Sequence, residues 1–415
     1  MRWLLLIGVM LLIELYAFQA FKTATKNKWV LIAYVLASFA VLGYFFYTIF
    51  TFDRSLGQTT KTLYAFGLFL TFLIPKLVLT IALFGEDIFR LGESVFKKFI
   101  FEDATERTRF LVARRQFLSR LALGVAALPF LAIIYGMVKG KYDFRIIQHT
   151  LYFDDLPDAF DGFVIKQISD LHSGSFDNPD KIAYGVQMID SIDADMMVFT
   201  GDIVNTKAEE MHPWISLFNT LKKPEFGKYA VLGNHDYGEY VSWPSEQHKE
   251  NNFKAIKALY GQIGHALLLN EHVWLKKDNQ KIALVGVENW GNNFKKAGDL
   301  NRASEGLSVE DFKILLSHDP SHWEYEVKDH PKNFHLTLSG HTHGMQFGIE
   351  IPGIIKWSPV QYVYKQWAGI YEHHQKYINV NRGFGFHAYS GRVGIWPEIT
   401  MITLKRKKKE SDLAV

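Results

Sequence analysis

Aspartate, asparagine and histidine recur in this chain where an apolar run has just ended. The chain reads Asp170-Leu171-His172, Gly201-Asp202, Gly233-Asn234-His235-Asp236 and Gly340-His341-Thr342-His343, and a lone His318 closes the segment Phe312-Lys313-Ile314-Leu315-Leu316-Ser317. Carboxylate oxygen, amide oxygen and imidazole nitrogen are ligands for hard and borderline divalent cations. Asp170, His172 and Asp202 supply two carboxylates and an imidazole; Asn234, His318, His341 and His343 supply a carbonyl oxygen and three more imidazoles. Any one of these motifs is common by chance. Together they suit a pair of cations about 3.5–4 Å apart, which can hold a bridging hydroxide and clamp phosphoryl oxygens during an in-line displacement.

The runs that carry these residues read as strands: 163–169, 196–200, 229–232, 312–317 and 335–339, joined by 281–287, 377–380 and 398–404. A strand that ends in Asp, Asn or His delivers a ligand at one edge of a sheet, and several such strands can close a constellation. Helical patterns lie at 180–192, 208–221 and 246–263. Strands and helices alternate first and strands dominate later, which predicts a mixed α/β architecture with stacked sheets.

At 415 residues the chain exceeds one compact domain, and its 48% hydrophobic content hides a division. Residues 1–138 are dominated by long apolar stretches; 139–405 look like a globular domain; 406–415 form a basic tail expected to be disordered. A net charge of +3 is too small to imply a nucleic-acid partner, and the absence of cysteine excludes disulfides, a Cys-ligated zinc and a thiol nucleophile. Stretches 3–21, 29–50, 63–84 and 117–137 are each long enough to span a bilayer, for which about 20 apolar residues suffice.

Lysine and arginine set the expected orientation. The first loop carries Lys22, Lys26 and Lys28, and the third carries Arg90, Lys97, Lys98, Arg107, Arg109, Arg114, Arg115 and Arg120, against Arg54 and Lys61 in the second. The positive-inside bias then puts loops one and three in the cytoplasm and the globular domain outside a bacterial inner membrane. Arg114-Arg115-Gln116-Phe117-Leu118 resembles a twin-arginine export signal but is internal, so anchoring of a span is an equal expectation. Glu14 and Lys76 fall inside two spans of the same direction, where an unpaired charge is costly, and are expected to pair.

At the motif residues the chain resembles the calcineurin-like metallophosphoesterase superfamily, whose signature is D-x-H, G-D, G-N-H-[DE], a lone histidine and G-H-x-H. All blocks are present here, in order and complete. The resemblance covers residues 145 to 404 and is strongest to a membrane-associated bacterial branch that closes with segments like Asn381-Arg382-Gly383-Phe384-Gly385, Arg392 and Trp396-Pro397-Glu398. It implies an α/β fold of two packed mixed β-sheets flanked by helices, here preceded by an all-α transmembrane region of four spans.

The resemblance also implies roles. Asp170, His172, Asp202 and His343 would bind a first metal, Asp202 would bridge, and Asn234, His318 and His341 would hold the second. The ions would be manganese, iron or zinc. His235 would face the substrate phosphate as acid or charge stabiliser, and Asp236 would orient it. Arg392 is a candidate substrate contact, His387 lies in the same late segment, and His212, His248, His272, His330, His373 and His374 read as surface residues.

The expected function is a membrane-anchored phosphohydrolase in which a metal-bridging hydroxide attacks a phosphomonoester or phosphodiester. Its partners would be membrane lipids and a phosphate ester, lipid-linked if the tether reflects the substrate. Two alternatives are a lipid pyrophosphatase similar to the UDP-2,3-diacylglucosamine hydrolases and a non-catalytic membrane-anchored binding module.

Overall fold

The computed structural model describes residues 2–98, 105–351 and 353–407, with side chains 94–113 outside the description. The side chains of Lys97, Lys98, Arg107 and Arg109 of the third loop, and the tail 408–415, therefore lie outside the description. The chain divides into two units: residues 1–52 with 61–138, and 53–60 with 139–415.

The first unit is helical: α1 Arg2–Ala24, α2 Lys28–Phe50, α3 Thr60–Lys98 and α4 Thr105–Val138. Mean hydropathy reaches 2.1 in Lys28–Phe50, 2.2 in Thr60–Glu93 and 2.3 in Arg114–Val138, so among the described residues three helices are long and apolar enough to cross a membrane. α1 has 23 residues, about 35 Å at the α-helical rise. Asn27 starts α2 by accepting the Trp29 N–H at 3.0 Å. Small residues, Ala17 and Ala20 of α1 with Ala122 and Ala126 of α4, let these helices approach closely.

α3 and α4 run past their expected spans, so much of the basic third loop is helix. Arg115 explains this in part: its Nη1 lies 2.6 Å from Glu86 and 2.5 Å from Asp87 of α3, while Arg114 reaches Glu93 at 3.2 Å. Both arginines of the twin pair thus hold two helices together. Glu14 and Lys76 do form an ion pair, and the Tyr34 hydroxyl of α2 adds a 3.2 Å hydrogen bond to the same carboxylate. Removing one partner strands the other charge. Glu14→Gln or Lys76→Met alone is expected to lower the unfolding temperature of the solubilised chain more than the double replacement, with a single-variant cost of about 3 kcal/mol.

The second unit is a two-sheet sandwich. One sheet has the order Arg145–Phe153, Glu398–Arg406, Val164–Ile168, Met196–Phe199, Lys228–Ala230, Ala266–Leu267, and the other Gly369–His373, Lys376–Val380, Leu336–Ser339, Lys313–Leu316, Gln280–Gly286, Glu271–Lys277. Both are mixed: Val164–Ile168, Met196–Phe199 and Lys228–Ala230 run parallel, as do Gln280–Gly286, Lys313–Leu316 and Leu336–Ser339; the antiparallel pair of the first sheet is internal, Glu398–Arg406 with Val164–Ile168, and those of the second are its two edges. Ile165, Met196, Val198 and Ile402 of one sheet pack on Leu284, Ile314, Leu316, Leu336 and Leu338 of the other. At the carboxyl end of the strands this core turns polar: Gln167 Nε2 donates to Thr200 Oγ1 at 3.0 Å and to the Ser339 carbonyl at 2.9 Å, and Asn379 Nδ2 donates to Gln167 Oε1 at 2.8 Å. Hydrogen bonds between the sheets there fix their register before the ligand loops begin.

Two expectations shift. The helix expected at 208–221 is a 3-10 segment, Ala208–Trp214, followed by a single α turn, Ile215–Phe218. Pro213 lacks the N–H an α-helix needs and crowds the preceding turn. Strand Arg145–Phe153 lies beside Glu398–Arg406, and its largely exposed alternation gave it no apolar run to be read from.

Candidate metal centre

Each ligand block follows the carboxyl end of a strand. Val164–Ile168 leads to Asp170 and His172, Met196–Phe199 to Asp202, and Lys228–Ala230 to Asn234 and His235; in the facing sheet Lys313–Leu316 leads to His318 and Leu336–Ser339 to His341 and His343. The chain turns sharply at these points. Asp170, His172, Asp202, His341 and His343 all have positive φ, between 47° and 74°. Non-glycine residues in that region cost about 1–3 kcal/mol each and persist where surrounding structure over-determines them. The glycines beside them answer to space: a Cβ on Gly340 would sit 1.9 Å from Ser169 Oγ and 2.3 Å from Asp170 Oδ2.

Among the described residues the loops bring together three groups, Asp170–His172–His343, Asp202–His318–His341 and an all-imidazole His172–His235–His387, within each of which the ligand atoms lie within 4.8 Å of one another. Asp202 stands between the first two, with Oδ2 3.1 Å from His318 Nε2 and 3.6 Å from His172 Nε2. Asn234 Oδ1 is 2.8 Å from His341 Nδ1, so the amide joins the second group. The ring nitrogens turned away from the centre are held: His318 Nδ1 by the Thr200 carbonyl at 2.6 Å, and His341 Nε2 by the Tyr364 hydroxyl at 2.8 Å. Such outer bonds fix which imidazole nitrogen faces inward.

The electrostatics fit cations. Asp170 and Asp202 are fully buried, and among the described residues only imidazoles make ion pairs with them. Burial acts to raise the Asp202 carboxyl, yet His318 and His235 outweigh it and hold it well below the usual range. For His318 burial acts downward, but the Asp202 carboxylate lifts it to about 10. His172 Nδ1 is buried without a hydrogen-bond partner, and His343 Nε2 faces only the Asp170 carboxylate, at 3.3 Å. A buried anionic pair ringed by imidazoles is the donor set a pair of divalent ions takes.

The structure gives Asp236 a place other than beside the His235 ring. His235 Nδ1 lies 2.6 Å from the Asn205 carbonyl, and that backbone oxygen orients the imidazole. The Asp236 carboxylate instead accepts from the N–H groups of Asp202, Ile203 and Gly233 at 3.1, 3.1 and 2.8 Å and from the Tyr260 hydroxyl at 2.8 Å. It ties together the two loops that carry Asp202 and Asn234. Burial, then Asp202, raises this carboxyl to about 7. Asp236→Asn would turn an amide donor toward backbone donors, and is expected to destabilise the chain by about 1–3 kcal/mol in thermal or denaturant unfolding.

Arg392 is likewise redirected from substrate to scaffold. It is fully buried, its Nε donates to the Gly385 carbonyl at 2.9 Å, and its Nη2 donates to the carbonyls of Arg382 and Gly385 at 2.8 and 2.5 Å. With both Nη2 protons so used, its 3.1 Å approach to His343 Nδ1 fixes that ring by contact.

His387 was legible only as a neighbour of the pocket, yet it closes a wall of rings, its centroid 4.7 Å from His172 and 4.5 Å from His235. Its backbone N–H is held by Gln346 Oε1, and Ala388 after it has φ +64°. Tyr240 and Tyr364 were also missed: Tyr240 OH lies 2.7 Å from Asn234 Nδ2, and its ring 4.3 Å from that of His235. No motif marks these residues, because they come from loops whose path only the fold decides. Of the remaining histidines, His212, His248 and His374 are exposed and His272, His330 and His373 half-buried.

Comparison with known proteins agrees with this centre. Residues 163–345 match the family described as "Calcineurin-like phosphoesterase", and residues 1–141 match "Probable Calcineurin-like phosphoesterase, transmembrane domain", a four-helix membrane family. The chain is 32% identical over 301 residues to the uncharacterized metallophosphoesterase YkuE of Bacillus subtilis, covering 71% of this chain and 98% of that one. It is 25% identical over 327 residues to a transmembrane protein with metallophosphoesterase domain of Danio rerio, covering 76% and 68%. Over 223 residues it is 28% identical to the UDP-2,3-diacylglucosamine pyrophosphatase of Chlamydia muridarum, covering 46% and 66%.

Proposed function

As the chain belongs to the calcineurin-like metallophosphoesterase family, and is thereby a hydrolase of phosphoester bonds in a membrane protein, we propose that it is a dinuclear phosphohydrolase acting at a bilayer surface. The observation that carries this is the position of the Asp202 carboxylate, 3.1 Å from His318 Nε2 of one imidazole-rich group and 3.6 Å from His172 Nε2 of the other. Asp170, His172, Asp202 and His343 would hold one divalent ion and Asn234, His318 and His341 the other, with Asp202 available to both. Bound there, manganese, iron or zinc ions supply Lewis acidity toward phosphoryl oxygens and an activated water.

The chain's own residues do the rest. Asn205 holds His235 by Nδ1, which turns Nε2 to the pocket. Burial lowers the His235 imidazole while Asp202 and the Asn205 carbonyl act to raise it, so it would carry its proton once an anionic phosphate is beside it, give that proton to the leaving oxygen and offset charge in the transition state. The rings of His387 and Tyr240 wall the same space, 4.5 and 4.3 Å from that of His235.

The substrate we infer is a phosphomonoester or phosphodiester presented at the bilayer, with a lipid pyrophosphate as the second reading, favoured by the likeness to the UDP-2,3-diacylglucosamine pyrophosphatase. The positive-inside pattern supports a multi-pass protein of a bacterial inner membrane with its catalytic unit outside the cytoplasm. External protease should then reach that unit in intact spheroplasts; protection would reverse the orientation.

The enzymatic reading is tested with the full chain in vesicles and a chromogenic phosphodiester. Chelation should abolish turnover, and manganese, iron or zinc should restore it. A chain that binds metal and shows no metal-dependent turnover would be a binding module instead.

A further inference from the structure

Residues 345–363 begin two positions after His343 and end one before Tyr364, whose hydroxyl holds His341. Both ends of this segment are therefore anchored at the proposed centre. Between them stands a hairpin, Ile349–Ile351 and Ile355–Trp357, in which Ile349 pairs with Trp357, Glu350 with Lys356, and Ile351 with Ile355. Alternation along the strands puts Ile349, Ile351, Ile355 and Trp357 on one face and Glu350 and Lys356 on the other.

The polar face, with Glu350 half-buried and Lys356 exposed, carries the hairpin's side-chain bonds to the rest of the unit. Glu350 takes Arg382 in a two-pronged bond, Nη2–Oε1 2.6 Å and Nε–Oε2 3.1 Å, and Lys356 Nζ donates to the Ala368 carbonyl at 2.5 Å. The isoleucines face outward. Ile349, Ile351 and Ile355 are exposed, Ile354 between the strands is 80% exposed, and Tyr362 and Val363 beyond it are 77% and 63% exposed. A hairpin on a soluble domain packs its apolar face inward and shows its polar face to water. Here the order is reversed, and a contiguous apolar face of this kind marks a contact surface.

We propose that this hairpin enters the interfacial layer of a lipid bilayer and so brings the neighbouring site to phosphoesters carried at that surface. The catalytic unit is joined at Lys139 to helices long and apolar enough to cross a membrane, so lipid is an apolar phase always within its reach. The outward face carries isoleucine beside a half-buried Trp357, and exposed Tyr362 follows, aromatic types that settle at the headgroup level. Substrate delivery rests on the phosphoesterase reading; insertion of the hairpin does not.

The chain has no cysteine, so Ile354→Cys carries a single label without further changes. The labelled full chain is reconstituted in phosphatidylethanolamine–phosphatidylglycerol vesicles, with a label at exposed Glu310 as the solvent reference. Headgroup-level doxyl lipids should quench the Ile354 label by about half and leave the Glu310 label unchanged. Two results overturn the proposal: a label open to aqueous iodide and indifferent to doxyl lipid, or one shielded from both, which would mean that a second copy covers the face.

A kinetic arm uses Ile351→Ser with Ile354→Ser. Turnover of a soluble chromogenic ester should be unchanged while turnover of a vesicle-embedded phosphoester falls about tenfold, the effect of roughly one bound isoleucine. Equal losses, or none, would overturn the delivery role. No turnover of either ester by the unmodified chain would sink the phosphoesterase reading and leave the quenching result standing.

Discussion

Asp202→Asn is expected to abolish phosphoester turnover and strip metal from the purified chain. The replacement keeps the shape of the side chain and one oxygen while removing the charge that His318 and His172 face at 3.1 and 3.6 Å. A neutral amide cannot serve two cations, and its NH2 group would point at imidazole nitrogens or be forced off the centre. The fold should survive, since the backbone N–H of residue 202 keeps its 3.1 Å bond to Asp236 and the neighbouring N–H of Ile203 keeps its own. The expected loss in kcat/KM is at least about 10³-fold, some 4 kcal/mol of transition-state stabilisation. Metal analysis and turnover on the same preparation check it. A variant within tenfold of the parent, or one fully loaded with metal, would refute the shared-ligand assignment.

His235→Ala should separate chemistry from metal binding. The His235 ring is tied to a backbone carbonyl by one nitrogen and faces His172, His387 and Tyr240 with its body. Metal content should be unchanged, whereas kcat should fall about 10²–10⁴-fold, the usual worth of a positioned proton donor. The size of the loss should depend on the leaving group. An alkyl alcohol needs the proton and should lose most; p-nitrophenolate leaves without one and should lose least. Equal losses across leaving groups would assign His235 to charge stabilisation alone.

These two variants probe residues legible from the chain as a string, and the reason is local. A strand of Val164–Ile168 or Leu336–Ser339 is an apolar run with a fixed direction, so whatever follows it must emerge at a known edge of a sheet. Ligand identity is then a matter of residue type, which composition states outright. The Glu14–Lys76 pair was legible for a similar reason: in a bilayer each charge must find the other. Asp236 and Arg392 were misplaced because both were judged by side-chain type. Their partners, the N–H groups of Asp202 and Ile203 and the carbonyls of Arg382 and Gly385, are backbone atoms that every residue carries. Only a folded chain says which of them is near.

The amino-acid order by itself determined the long apolar helices, the two-sheet class and the set of candidate ligands, since each depends on periodicity, length and residue type within one short segment. Tertiary structure decided what required distant segments to meet. It set Asp202 between two groups, gave the His235 ring to Asn205, closed the wall with His387, and turned the isoleucines of residues 349–355 outward by spending Glu350 on Arg382. Loops joined to one rigid sandwich have no periodicity of their own. Their paths follow from left-handed turns and buried hydrogen bonds that sequence spacing does not record.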